Sequence, residues 1–270
     1  MIKVQAVTHT DRGGRLHNDD VVAMRIREAD ACFVVCDGVG ANAGGGTAAG
    51  IAARETLRLF EASKRDELAE LPARSVEAIQ ARIRLAQGAT PECAAMATTW
   101  VGLFLDRASA TAYWDHAGDS RLYHFRHGVL QRRTRDHTLV AQLEAAGMAS
   151  AGLSRSLLVH ALGQTDYASE PASTKLKDGD AFLLCTDGFW QRLDDATLEA
   201  QLQVSGSVED WMTVTCAHVR QAAQREAHAS TDNQSAIAIW VGDPQDITLA
   251  GPRQARIAGS VPAARGSVVG

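Results

Sequence analysis

The sequence predicts an α+β fold, and three observations carry that reading. Short apolar runs of strand length recur along most of the chain. Amphipathic helical patterns are confined to a few stretches between them. Strands and helices do not alternate one for one, as a doubly wound parallel sheet would require. Val21–Ile26 is a weaker strand candidate, and Ala31–Cys36, apolar throughout, is the first clear one. A helical pair follows over 45–88. Ala49, Ala53, Leu57 and Phe60 share one face, and Val76, Ile79, Ile83 and Ala86 share another before Gly88. Thr98–Leu105 reads as a strand, Ala110–Trp114 as a weaker one, and Leu139–Ala146 as a short helix. Ala181–Cys185 is a further strand. Met212, Cys216, Val219 and Ala223 form the stripe of a long helix near 208–227, with Ser207-Val208-Glu209-Asp210 resembling its capping box. Ser235–Val241 closes the pattern. Beyond it the chain turns to Gly, Pro, Ala, Arg and Ser without a period. One domain over 1–241 and a low-complexity, disordered tail over 242–270 are expected. No internal repeat interrupts this order.

Composition bounds the function. Of 270 residues, 46% are hydrophobic and 22% charged, enough apolar side chains for a sizeable core. The 27 Lys and Arg against 32 Asp and Glu leave a net charge of −5, without the basic excess of a nucleic-acid binder. No apolar run approaches the ~18–20 residues of a membrane helix, and Met1–Val7 lacks a secretory signal's apolar stretch. The five cysteines include no Cys-x-x-Cys pair, and Cys36 and Cys185 lie inside apolar runs. A reduced, cytoplasmic, monomeric protein that binds neither nucleic acid nor membrane is expected.

The acids are the informative residues. Asp37 ends the run Phe33-Val34-Val35-Cys36, and Asp187 follows Phe182-Leu183-Leu184-Cys185-Thr186. Asp19 and Asp20 precede one candidate strand, and Asp232-Asn233 the last. Carboxylates so held sit at strand ends with few Lys or Arg beside Asp37, Asp187 or Asp232. Brought together they repel one another and invite hard cations that prefer oxygen, such as Mg²⁺ or Mn²⁺. An isolated Asp-Gly is more often a hairpin turn. Here, however, one Asp-Gly leads into a Gly-rich loop and a helix, and the other into Phe189-Trp190.

These segments resemble, in order, the motifs of the metal-dependent protein phosphatases of type 2C, in particular compact bacterial members. Gly14-Arg15-Leu16-His17-Asn18-Asp19-Asp20 is similar to the family's Arg-x-x-Asn-Glu-Asp. Cys36-Asp37-Gly38-Val39-Gly40 resembles Asp-Gly-x-Gly-Gly, and Met96-Ala97-Thr98-Thr99 resembles Gly-Thr-Thr. Gly118-Asp119-Ser120-Arg121 resembles Gly-Asp-Ser-Arg, and Asp136-His137-Thr138 the Asp-His-Ser segment. Thr186-Asp187-Gly188-Phe189-Trp190 resembles Ser-Asp-Gly-Leu-Trp, and Asp232-Asn233 the closing Asp-Asn. The match spans roughly 1–241.

The resemblance implies a β-sandwich of two mostly antiparallel sheets flanked by helices. It implies hydrolysis of phosphoserine and phosphothreonine in proteins by a metal-bound hydroxide at a binuclear Mn²⁺ or Mg²⁺ centre. Asp37 would bridge the two ions, aided by the Gly38 carbonyl. Asp187 and Asp232 would hold the first ion, and Asp20, with Asp19 at the family's Glu position, the second. Asp119 would serve a third site. Arg15 would grip the substrate phosphate, a task that suits a bidentate guanidinium. The implied partners are phosphorylated proteins and a bacterial Ser/Thr kinase whose work is reversed.

The chain departs from the family in three places. Val39 stands where many eukaryotic relatives carry a His, so no side chain is assigned to protonate the leaving group. Ala41 and Ala97 replace glycines, and 147–155 is short for the flap usual there. His17, His116 and His137 read as structural or exposed, and Trp114, Trp190 and Trp240 as core. Two other readings compete. A dinucleotide-binding protein would put Asp37 against a pyrophosphate and needs a different glycine spacing. A non-catalytic phosphoprotein-binding relative would have lost metal carboxylates.

Overall fold

The computed structural model describes residues 1–39, 44–89, 91–154, 156–164, 166–225 and 232–243. Gly40, Ala41 and the tail from 244 onward lie outside them. The first half contains β1 (Val4–Asp11), β2 (Val21–Ile26), β3 (Asp30–Cys36), β4 (Gly38–Val39), α1 (Gly45–Ala62) and α2 (Leu71–Gln87). Next come β5 (Ala97–Thr98), β6 (Trp100–Asp106), β7 (Thr111–Ala117), β8 (Arg121–Arg126), β9 (Val129–Arg133) and α3 (Leu139–Ala145). The second half adds β10 (Ala172–Lys175), β11 (Asp180–Cys185), α4 (Asp187–Trp190), α5 (Asp195–Val204), α6 (Val208–Arg225) and β12 (Gln234–Val241).

Two five-stranded sheets form, in the orders β1-β12-β11-β8-β9 and β10-β7-β6-β3-β2, with β4 and β5 as a short separate pair. Neighbouring strands pair antiparallel throughout. That pairing disposes of the dinucleotide-binding reading, which needs parallel strands around β3.

The apolar runs are continuous because the central strands are buried on both faces. Phe33 and Val35 of β3 point between the sheets, where they join Leu103, Phe182, Leu184, Ile237 and Ile239. Their neighbours Cys32, Val34 and Cys36 point the other way, onto Ala49, Ala52, Phe60 and Ile79 of α1 and α2. On the opposite flank Tyr123, Phe125 and Leu183 pack against Leu198, Trp211, Met212 and Val219 of α5 and α6. Helix, sheet, sheet and helix thus stack in four layers around three apolar clusters. The Ser207 hydroxyl accepts from the Asp210 amide at 3.0 Å, one half of the expected capping box. The other half is displaced, because the Asp210 carboxylate takes the Gly206 amide at 3.0 Å. All five cysteines are free, and burial pushes the Cys36 and Cys185 thiols well up. No helix among the described residues is long and apolar enough to cross a membrane.

Candidate metal centre

Strand register gathers the acids at one end of the sandwich. Cys36, the last residue of β3, pairs with Val21, the first of β2. This sets Asp37 beside the end of the β1–β2 loop and its Asp19 and Asp20. In the other sheet Cys185 pairs with both Ala236 and Arg121. The β11 exit to Asp187, the β12 entry after Asp232 and the turn holding Asp119 therefore share that end. One cleft of about 690 Å³ is lined by Arg15, Asp19, Asp37, Gly38, Asp119, Asp187 and Asp232. Asp20 lies behind it, buried. Val39 and Leu158 also line the cleft, with the exposed Leu16 and His17 at its rim.

Each acid is held through its neighbours. The Asp37 amide donates to the Thr99 hydroxyl at 3.0 Å, and its carbonyl accepts from the Thr99 amide at 2.8 Å and the Thr98 hydroxyl at 2.9 Å. This clamp explains why the expected strand over Thr98–Leu105 splits at Thr99. The Thr186 hydroxyl donates to Asp20 Oδ2 at 2.9 Å and accepts from the Ser235 amide at 3.0 Å. Gln191 donates to Asp187 Oδ2 at 2.8 Å. Trp190 Nε1 donates to the Asp119 carbonyl at 2.9 Å, while the Arg121 guanidinium stacks on the same indole. Arg15 grips Asp232 with a two-pronged fork, Nε to Oδ1 at 3.0 Å and Nη2 to Oδ2 at 2.8 Å.

Two glycines permit this convergence. A Cβ on Gly38 would lie 2.3 Å from the Gly45 carbonyl carbon at the start of α1. A Cβ on Gly188 would lie 2.1 Å from the Asn233 carbonyl oxygen. Both sites need a bare backbone because two main chains meet there.

The electrostatics follow from crowding in a desolvated place. Burial first, then Asp20, Asp187, Asp119 and Asp232, drives the Asp37 carboxyl well above the ordinary range. Burial also pushes Asp20 up, with Asp187 and Asp232 adding to the effect against hydrogen bonds from Ser235 and Thr186. Asp119 is pushed up to about 7 by burial and then by Asp187 and Asp136. Asp187 rises through burial and then Asp232. Arg15 is held charged by its bonds to Asp232.

Divalent cations suit this set. The donors are all oxygen, their mutual repulsion would be reversed by positive charge, and Asp20 Oδ1 is buried without a hydrogen-bond partner. Among the described residues no group of three or more His, Cys, Asp or Glu is already drawn to ligand geometry. Asp232 is turned onto Arg15 and Asp20 onto Thr186.

His17 stands exposed at the rim of the cleft, while His116 and His137 are not among the residues that line it. His116 and His137 stack at 4.3 Å, and His137 Nδ1 accepts from the Gly118 amide at 3.3 Å. Trp114, Trp190 and Trp240 are buried. Ala97 needs no glycine freedom, since it lies in β5 without a positive φ. Sequence reasoning quoted Thr99, Thr186 and Asn233 within motifs but gave them no task. Their partners lie up to 221 residues away, as Arg12 does from Asn233.

A four-layer sandwich with aspartates gathered at one end of its strands is the architecture that the resemblance to the metal-dependent type 2C phosphatases leads one to expect. Residues 8–240 match the family described as Protein phosphatase 2C, and the chain belongs to that family. The serine/threonine protein phosphatase PstP of Mycobacterium tuberculosis is 31% identical over 204 residues, covering 72% of this chain and 38% of PstP. The chain thus corresponds to well under half the length of that relative. The serine/threonine phosphatase stp of Listeria innocua is 27% identical over 219 residues, 74% of this chain and 83% of stp. The crystal structure of the PstP catalytic domain in complex with 2 manganese ions is similar in fold, with a TM-score of 0.77 at 23% identity. That likeness covers 90% of this chain and 100% of the other.

Proposed function

We propose that residues 1–241 are the catalytic unit of a Mn²⁺- or Mg²⁺-dependent phosphatase acting on phosphoserine and phosphothreonine in proteins, opposing the kinase that places those phosphates. The observation that carries the reading is the cleft in which Asp37, Asp119, Asp187 and Asp232 face one another, with Arg15 at its edge. Asp37 is the candidate bridge, since burial and four other carboxylates act on it at once, and the Gly38 carbonyl stands beside it. Asp187 and Asp232 would hold the first ion, Asp20 and Asp19 the second, and Asp119 a third. Two manganese ions in the PstP catalytic domain support the first two of these sites. Divalent ions bound there supply Lewis-acid activation of water and neutralise phosphoryl charge.

The chain's own residues do the rest. Arg15 offers a planar fork to two phosphate oxygens. Thr98 and Thr99 fix the Asp37 backbone, so its carboxylate needs no rearrangement as charge develops. Val39 offers no proton to the leaving alkoxide. Cys36 and Cys185, at the ends of the strands that lead to Asp37 and Asp187, take no part, because they are buried and their thiols are held protonated.

The test is chelation followed by Mn²⁺ or Mg²⁺ add-back, with a phosphothreonine peptide as substrate. Activity should vanish and return, and should resist thiol alkylation. Undiminished turnover after thorough chelation would overturn the metal assignment, and peptide binding without turnover at saturating metal would make the protein a non-catalytic binder.

A further inference from the structure

Between β1 and β2 the chain makes a loop over 12–20 that carries Arg15, Asp19 and Asp20. Its tip has almost no apolar anchorage. Arg12 and 14–18 are exposed, Leu16 to 86%. Something other than core packing must hold Arg15 at the cleft.

The Asn233 side chain meets that need. It is buried at the entry to β12, and its amide bonds both ends of the loop. Oδ1 accepts from the Asp19 amide at 2.8 Å, and Nδ2 donates to the Arg12 carbonyl at 2.8 Å and the His17 carbonyl at 3.0 Å. The Arg12 carbonyl also accepts from the Arg15 amide at 3.2 Å, closing the turn that ends on Arg15. A neutral amide is what this place demands. It must offer two donors to carbonyls and one acceptor to an N–H, and an isosteric Asp or Leu cannot. The preceding residue, Asp232, holds the Arg15 guanidinium itself. Two adjacent residues thus control one arginine, Asp232 through its head and Asn233 through its backbone. The Asn18 amide bonded to the Thr10 hydroxyl at 2.8 Å is a further, exposed tether.

We propose that Asn233 is a positioning residue for phosphate capture, clasping the 12–20 loop so that Arg15 stands ready for the dianionic phosphate of the substrate. Its side-chain amide is spent on the loop, with its bonds going to Arg12, His17 and Asp19. The inference rests on the phosphatase reading above. Its consequence is that Asn233 matters to phosphate binding only while Arg15 is present.

A double-substitution cycle with inorganic phosphate as competitive inhibitor tests this, using the full chain at saturating Mn²⁺. Asn233→Ala should raise the phosphate inhibition constant about tenfold, the loss of roughly one to two hydrogen bonds' worth of ordering. In an Arg15→Ala background the same change should matter less than about twofold. KM for the phosphopeptide should rise more than kcat falls, and calorimetric Mn²⁺ affinity should stay within about threefold. Should Asn233→Ala fail to fold, Asn233→Asp preserves the volume and the acceptor for Asp19 and removes both donors, and carries the same cycle. Equal effects of Asn233 substitution in both backgrounds, or a collapse of Mn²⁺ binding, would overturn the positioning role while leaving the phosphatase reading intact. If Arg15→Ala alone left the phosphate inhibition constant unchanged, the phosphate assignment of Arg15 would itself fall, and this inference with it.

Discussion

Replacing Asp119 by Asn should stabilise the metal-free protein at alkaline pH and change little at acid pH. The Asp119 carboxyl titrates at about 7 in the fold against an ordinary 3.8, through burial and then through Asp187 and Asp136. Between those values the folded protein keeps a proton that the unfolded chain has lost. Stability therefore falls as pH rises through that window, and the loss is complete above about 7. A gap of about 3 pH units corresponds to at most about 4 kcal/mol. Water entry and relaxation around the ionised group reduce this to about 2 kcal/mol. Asn has nearly the same shape and no charge, so the variant escapes the penalty. At about 2–4 °C per kcal/mol for a chain of this size, the gain is about 4–8 °C in melting temperature near pH 8, and near zero around pH 4. The assay is thermal unfolding by circular dichroism in chelator across that range. Both curves should slope downward with pH, because Asp20, Asp37 and Asp187 are pushed up as well, and the wild type's should be the steeper because it alone carries Asp119. Saturating Mn²⁺ should reduce or reverse the variant's advantage. A stability loss at pH 8, or an equal shift at both ends, would refute the reasoning.

Other substitutions separate the roles in the cleft. Asp37→Asn should abolish calorimetric Mn²⁺ binding and lower kcat on a phosphothreonine peptide by about a hundredfold or more at saturating substrate; near-normal values of both would remove Asp37 from the centre. Arg15→Ala should raise KM by about tenfold. It should also tighten Mn²⁺ binding by about two- to fivefold, since an ion arriving at Asp232 no longer competes with a half-exposed guanidinium. Weakened Mn²⁺ binding would mean that Arg15 holds the site together instead. Truncation after Val241 should leave kcat/KM within about threefold of the full chain, because the core pattern ends with β12; a collapse in activity or folding would give the tail a structural task.

The strands most legible in the sequence are those with apolar neighbours on both faces, although the edge strand β2 was also legible, from Val21-Val22-Ala23-Met24. β3, β6, β11 and β12 are buried at every position and read as unbroken apolar runs. β1, β9 and β10, which the sequence hid, are edge strands. Val129–Arg133 ends in Gln131-Arg132-Arg133, all exposed, and Ala172–Lys175 alternates half-buried and exposed positions. Central β8 was hidden for another reason. It carries His124 and two arginines, Arg121 and Arg126, whose charge is absorbed by partners distant in sequence. Arg121 forks onto Asp136 at 2.7 Å through both nitrogens, and Arg126 forks onto Asp180 at 2.6 and 3.0 Å. Composition cannot announce such a strand, because its burial depends on ion pairs that exist only once the sheet is formed. α5 escaped notice similarly, with only Leu198 and Leu202 of its ten residues buried.

At the cleft, a carboxylate that ends an apolar run is visible because the run itself fixes where it points. The residues that hold those carboxylates are not, and the difference is one of contact range. Asn233 before a strand is indistinguishable in sequence from a turn asparagine until Arg12, His17 and Asp19 arrive beside it. Thr99 resembles any strand threonine until Asp37 lies across the sheet from it. This division also gives the proposed substitutions their meaning. The acids are placed by backbone ladders and by clamps such as Thr99, so neutralising one carboxylate should leave the strand ends where they are. A stability gain without metal and an activity loss with it can then both be read as the effect of one charge. Were the cluster instead assembled by mutual side-chain contacts, removing one acid would disturb the rest, and the two readouts would fall together.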